Sequence, residues 1–185
     1  MVADVSGKGM PAALFMALSR SIIRSVVGQN GMPSEDIIKV NRLIHRDVAQ
    51  GMFITLFYAE IDPKTNTLTY INAGHNPPML LEKTNGTLNY LERTGMAIGV
   101  EEDSRYEQVT LDFLSGDTLL IYTDGVIDID QDGGTFGVGK LEKSFMGNYG
   151  LSVNDLIGSL ELNLCNLTNQ EDLLDDVTIL AARRT

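Results

Sequence analysis

Four aspartates in this 185-residue chain share one kind of position. Asp4 ends a short extended run just before the glycine-rich turn Ser6-Gly7-Lys8-Gly9. Asp124 closes the apolar run Thr118-Leu119-Leu120-Ile121-Tyr122 and precedes Gly125. Asp175 and Asp176 stand directly before the last strand-like run. Carboxylates at strand ends, followed by glycine or a tight turn, can converge on one rim of a sheet. Such oxygen donors suit hard cations, Mg²⁺ and Mn²⁺ among them. Taken singly, Asp before Gly is also ordinary turn chemistry.

The elements that must position these groups are predicted as follows. Pro11 suits a first helical turn, and a helix runs from there to about Val27. Its apolar stripe, Leu14, Leu18, Ile22 and Val26, repeats every four residues, and its generally apolar first half predicts deep burial. Ser34 is the expected N-cap of a second helix, with Glu35 and Asp36 in its first turn. That helix carries Ile37, Asn41, Ile44 and Val48 on one face and ends near Gly51. Three hairpins are predicted next. They join Phe53–Ile61 to Leu68–Ala73, Met79–Lys83 to Thr87–Leu91, and Tyr106–Leu111 to Thr118–Tyr122. Helices over Val138–Phe145 and Val153–Leu164 and a strand over Val177–Ala182 complete the chain. Short loops imply antiparallel pairing, and the order implies an α+β fold with helices on sheets. The opening strand has almost no length before Asp4. The expectation is therefore a single domain over residues 1–185 that lacks its N-terminal strands.

Composition narrows the class. The apolar share is 43% and the charged share 21%, as in globular chains. No apolar run reaches the roughly 18 residues of a membrane span, and no basic segment precedes Pro11–Leu18 as in a signal peptide. The formal net charge is −11, which repels nucleic acid and anionic membranes. The single cysteine, Cys165, is expected to pack as a small hydrophobe and fits a reducing cytoplasm.

Five segments, in order, resemble the signatures of the PPM phosphatases, the protein phosphatase 2C class, and most closely their bacterial stage II sporulation E and sigma-factor-regulating branch. They are Asp4–Leu14, Met52–Phe57, Asn72–Pro78, Tyr122–Val126 and Asp175–Thr178. The resemblance implies a sandwich of two antiparallel sheets flanked by helices, with Mn²⁺ or Mg²⁺ as cofactor, two ions in the complete domain. It implies that Asp4 bridges the two metals, the Val5 carbonyl ligates one, Asp124 ligates one and Asp175 the other, with Asp176 competing for that last role. Hydroxide activated by the metals would attack phosphorus in line. The substrate would be phosphoserine or phosphothreonine on a small regulatory protein of the anti-sigma-antagonist type. The alternative is a catalytically inactive phosphatase fold serving as a regulatory binding module.

Two departures from the family pattern stand out. A Gly-Asp signature expected upstream of Asp4 lies before residue 1, so the second metal site is expected to be weak. Animal-type enzymes carry a histidine two residues after the bridging aspartate, where this chain has Ser6, so water is expected to protonate the leaving group. His75 is expected to hold Ala73–Pro78 in shape and His45 to lie on the surface. Lys8 is expected to be a solvated turn residue. Asp128–Gly133 begins like a calcium loop, but its twelfth position is Gly139 rather than Glu, which excludes that reading. Loss of a leading strand leaves an open sheet edge, which predicts homodimerisation there.

Overall fold

The structure is a computed structural model; it describes residues 1–28, 31–47, 51–128, 130–131, 134–135, 137–165 and 176–185. Its elements in chain order are β1 (Val2–Val5), α1 (Gly9–Val26), α2 (Pro33–Asp47), β2 (Ile54–Asp62), β3 (Thr67–Ala73), β4 (Met79–Leu81), β5 (Leu88–Tyr90), β6 (Val109–Asp112), β7 (Thr118–Tyr122), β8 (Asp130–Gln131), β9 (Gly134–Thr135), α3 (Gly137–Gly147), α4 (Val153–Cys165) and β10 (Ile179–Arg183). They form two compact units, interleaved along the chain.

The first unit comprises Met1–His75 and Glu92–Asp112. Its antiparallel sheet has the order β1-β2-β3-β6, so β1 lies at an edge. The predicted hairpin β2–β3 is present, and Asn66, at φ 56°, closes its turn. Asparagine is among the few non-glycine residues that adopt this conformation readily. Side chains alternate along β2. Ile54 and Leu56 join Ile71 and Ala73 in a core with Phe15, Ile23 and Val26 of α1 and Ile37, Val40 and Ile44 of α2. Thr55 and Phe57 point to the other face.

Helix α1 departs from the predicted stripe. Its buried positions are Phe15, Ser19, Ile23 and Val26, whereas Leu14 is 64% and Leu18 43% exposed. The helix is therefore not deeply buried. Residues 10–18 are almost all apolar, so two adjacent stripes both have helical period. The face holding the phenyl ring and the β-branched Ile23 and Val26 is the one that meets the sheet. Helix α2 begins at Pro33, not after an N-cap at Ser34. Proline at the first position forfeits no hydrogen bond. Asp36 is buried, and its Oδ2 accepts the Gly28 N–H at 2.9 Å just beyond the end of α1. Asn41 is also buried: its amide donates to the carbonyls of Glu101 and Glu102, and its Oδ1 accepts the Gly99 N–H. His45 is half-buried, not on the surface, with Nδ1 2.9 Å from the Gly99 carbonyl. Val48 lies outside the described residues.

The second unit comprises Asn76–Leu91 and Phe113–Thr185. Its sheet has the order β10-β7-β4-β5, again antiparallel. Met79, Leu81, Leu120 and Tyr122 pack with Leu141 and Phe145 of α3 and Leu156, Leu160 and Leu164 of α4. Every residue of β7 is buried, which explains its unbroken apolar sequence. The predicted third hairpin does not form. β6 pairs with β3 in the first unit, and β7 with β10 and β4 in the second. The turn at Leu114–Asp117 is present, but its polar groups engage the second unit. Asp117 Oδ1 accepts the Lys83 N–H at 2.9 Å and Oδ2 the Leu114 N–H at 2.7 Å, while the Gly116 N–H donates to the Arg184 carbonyl at 2.7 Å. Residues 130–131 and 134–135 of the acidic stretch pair as a short ribbon. The packing of the Cys165 side chain lies outside the described residues.

Candidate metal centre

Chain reversal after β7 shapes the first half of the site. Thr123 leaves the strand and is buried, and a 3₁₀ turn over Asp124–Val126 follows. The Asp124 carbonyl accepts the N–H groups of Ile127 and Asp128, at 2.8 and 2.9 Å, which ties the turn to its first residue. Its carboxylate Oδ1 accepts the Gly125 N–H at 2.9 Å. Among the described residues the other oxygen has no hydrogen-bond partner, and the side chain is half-buried.

Thr123 joins this turn to the approach of β10. Its N–H donates to the Thr178 carbonyl at 3.1 Å, and its Oγ1 accepts the Thr178 N–H at 2.9 Å. The same hydroxyl donates to the Asp176 carbonyl at 3.2 Å. The backbone of exposed Asp176 is thereby held at the buried hydroxyl of the residue that precedes Asp124. Asp175 lies outside the described residues.

Asp4 and Val5 belong to the first unit, at the end of β1. Asp4 is half-buried and sits opposite Thr55 in the register, and Val5 sits opposite Ile54. The turn beyond them is fastened by Ser6, whose N–H donates to the Phe53 carbonyl at 2.9 Å and whose Oγ accepts the Phe53 N–H at 2.8 Å. Gly7 and Gly9 take φ 88° and 79°, conformations that other residues rarely adopt. Lys8 between them is exposed. His75 is buried, and its Nδ1 lies 2.9 Å from Thr55 Oγ1 on β2.

Asp4, Asp124 and Asp176 offer anionic oxygens at partly open positions, the donor type that Mg²⁺ and Mn²⁺ prefer. Each carboxylate by itself suits a hard divalent cation in chemistry. Among the described residues, no three His, Cys, Asp or Glu side chains are gathered as a ready cluster.

Sequence reasoning assigned no role to Thr123 or Thr55, although both fall inside the quoted segments. Neither pairing has a local signature, because each hydroxyl meets a partner far along the chain. Thr123→Val keeps the shape but strands the Thr178 N–H and the Asp176 carbonyl. Thr178 and Asp176 are both exposed, so each lost hydrogen bond costs about 0.5–1.5 kcal/mol. The melting temperature is expected to fall by about 3–10 °C, at roughly 2–4 °C per kcal/mol in a protein of this size. Thr123→Ser should recover most of the loss in a thermal melt. An unchanged melt for Thr123→Val would show that the clasp contributes nothing.

The model of the Stage II sporulation protein E (SpoIIE) family matches residues 1–185. The chain is 30% identical over 183 residues to phosphoserine phosphatase RsbU of Bacillus subtilis (strain 168), covering 99% of this chain and 54% of that protein. Among solved structures, the SiaA-PP2C domain of Pseudomonas aeruginosa superposes with a TM-score of 0.83 at 20% identity, over 99% of this chain and 73% of that one. A structure of RsbX in complex with magnesium gives 0.64 at 16% identity, over 97% and 77%. This chain belongs to the SpoIIE family and has the PP2C-like fold of two antiparallel four-stranded sheets with four helices. It spans about half the length of RsbU.

Proposed function

We propose that this chain carries the active centre of a metal-dependent serine/threonine protein phosphatase. The observation that carries this reading is the clasp by which Thr123, the residue before Asp124, holds the backbone at Asp176 and Thr178. Support also comes from the name of RsbU, a phosphoserine phosphatase, and from the magnesium in the RsbX structure. Asp4, the Val5 carbonyl, Asp124 and Asp175 would hold Mn²⁺ or Mg²⁺, with Asp176 as the alternative to Asp175. When bound, such cations lower the pKa of water and offset phosphoryl charge.

The chain's own groups do the rest. Asp124 is oriented by its bond to Gly125 and by the clasp behind it. Ser6 accepts the Phe53 N–H and anchors the turn, and with no histidine at this position protonation of the leaving alkoxide would fall to solvent. The substrate proposed is a phosphoserine or phosphothreonine on a small regulatory protein in sigma-factor control, in the cytoplasm. No helix among the described residues is long and apolar enough to cross a membrane. The edge of β1 would admit a second copy as a homodimer, which light scattering would detect.

Hydrolysis of p-nitrophenyl phosphate by the protein containing this chain is expected with Mn²⁺ and is expected to stop with chelator. Absence of turnover with either Mn²⁺ or Mg²⁺ would favour the other reading, an inactive regulatory binding module.

A further inference from the structure

We propose that His75 is a positioning residue for Asp4, acting through the hydroxyl of Thr55. The inference rests on the proposal that Asp4 is a metal ligand. Asp4 and Thr55 are direct partners in the β1–β2 register, so their side chains stand side by side on one face of the sheet. Such partners lie about 4.5–5.5 Å apart at Cβ. Thr55 is therefore a cross-strand neighbour of Asp4 on that face. Left alone, a threonine can rotate about χ1 to offer either hydroxyl or methyl. The bond from Thr55 Oγ1 to His75 Nδ1, at 2.9 Å, removes that freedom.

The segment bearing His75 is built to hold the imidazole still. Gly74 pairs with Leu56 of β2, and Ala73 with Gly95, in isolated parallel bridges. The Asn72 carbonyl accepts the N–H groups of Thr94 and Gly95, at 2.9 and 3.2 Å. Thr94 Oγ1 accepts the Asn72 N–H at 2.9 Å. Immediately after this clamped stretch, His75 is only 1% exposed. Its bond to Thr55 reaches out of that stretch to β2, to the residue opposite Asp4.

The test is calorimetric titration of Mn²⁺ into the metal-free protein, with melts of the metal-free forms alongside. Loss of an outer partner of a metal ligand typically weakens affinity about 10–100-fold. Because His75 acts at one remove, Thr55→Val and His75→Ala are each expected to weaken Mn²⁺ binding roughly tenfold. Thr55→Ser should bind as the native protein does, and His75→Asn, whose amide reaches the Nδ1 position, should regain most of the loss. Asp4→Asn is the reference. If Asp4→Asn weakens binding while Thr55→Val binds normally, the positioning role is wrong and the metal reading stands. If Asp4→Asn itself binds Mn²⁺ normally, the assignment of Asp4 falls and takes the positioning role with it. A lower melting temperature for Thr55→Val with unchanged affinity would also overturn the role, because it would make the bond merely structural.

Discussion

Asp124→Asn is expected to reduce turnover of p-nitrophenyl phosphate by at least about 10²–10³-fold at saturating Mn²⁺, the order of loss when one preorganised electrostatic contributor is removed. The substitution isolates charge. Asparagine retains an Oδ1 that can accept the Gly125 N–H, so the 3₁₀ turn over Asp124–Val126 keeps its local bond. The clasp of Thr123 on Thr178 and Asp176 uses backbone groups and the Thr123 hydroxyl, none of which changes. A neutral amide oxygen is, however, a much poorer partner for a dication than a carboxylate. The thermal melt without metal should therefore stay within a few degrees of native while the rate collapses. Full activity in Asp124→Asn would remove Asp124 from the ligand set, and a collapsed melt would make the rate uninformative.

A large stability effect from a single methyl group is expected at Gly74. This residue takes φ 76°, and a Cβ there would lie 2.8 Å from the Ala97 backbone nitrogen and 3.0 Å from its Cα. Backbone atoms cannot swing aside as a side-chain end can. The left-handed conformation costs a non-glycine residue roughly 1–2 kcal/mol, and overpacking typically adds about 1–3. Gly74→Ala should thus cost about 2–5 kcal/mol and lower the melting temperature by roughly 5–15 °C. Ser115, in the exposed turn before β7, serves as a control, since Ser115→Ala should leave the melt within about 1 °C. A melt of Gly74→Ala that matched the control would mean that the segment 72–75 yields easily, contrary to its dense bonding.

Turn chemistry made two of the three predicted hairpins legible. Asp62–Asn66 and Thr84–Gly86 mark where the chain reverses, and both flanking pairs of strands form. Residues 114–117 carry an equally plain turn signal, yet β6 and β7 join different sheets. Turn residues dictate a change of direction but not the partner that receives the strand. In α1, continuous apolarity over residues 10–18 left helical period unable to choose between adjacent faces, and Phe15, not Leu14, is buried. At the site, the strand-end positions of Asp4, Asp124 and Asp176 were readable, because an apolar run followed by Asp and a tight turn has a local signature. The hydroxyls behind them were not. Thr123 finds Thr178 across 55 residues and Thr55 finds His75 across 20, distances over which one sequence carries no pairing signal.

The interleaving of the two units has a consequence for synthesis. Sheet strands of the first unit end with β6 at Asp112, so that sheet can close while the rest of the chain is still being made. The second unit must wait. Strand β7 is central in its sheet, but its neighbour β10 begins only at Ile179, after α3 and α4. At about 5–20 residues per second, the apolar strand Thr118–Tyr122 spends several seconds with one edge unpaired. During that interval Asp124 has no Thr178 to settle against. The same segment, Thr178–Arg183, therefore both covers the open edge of this buried strand and closes the clasp beside Asp124.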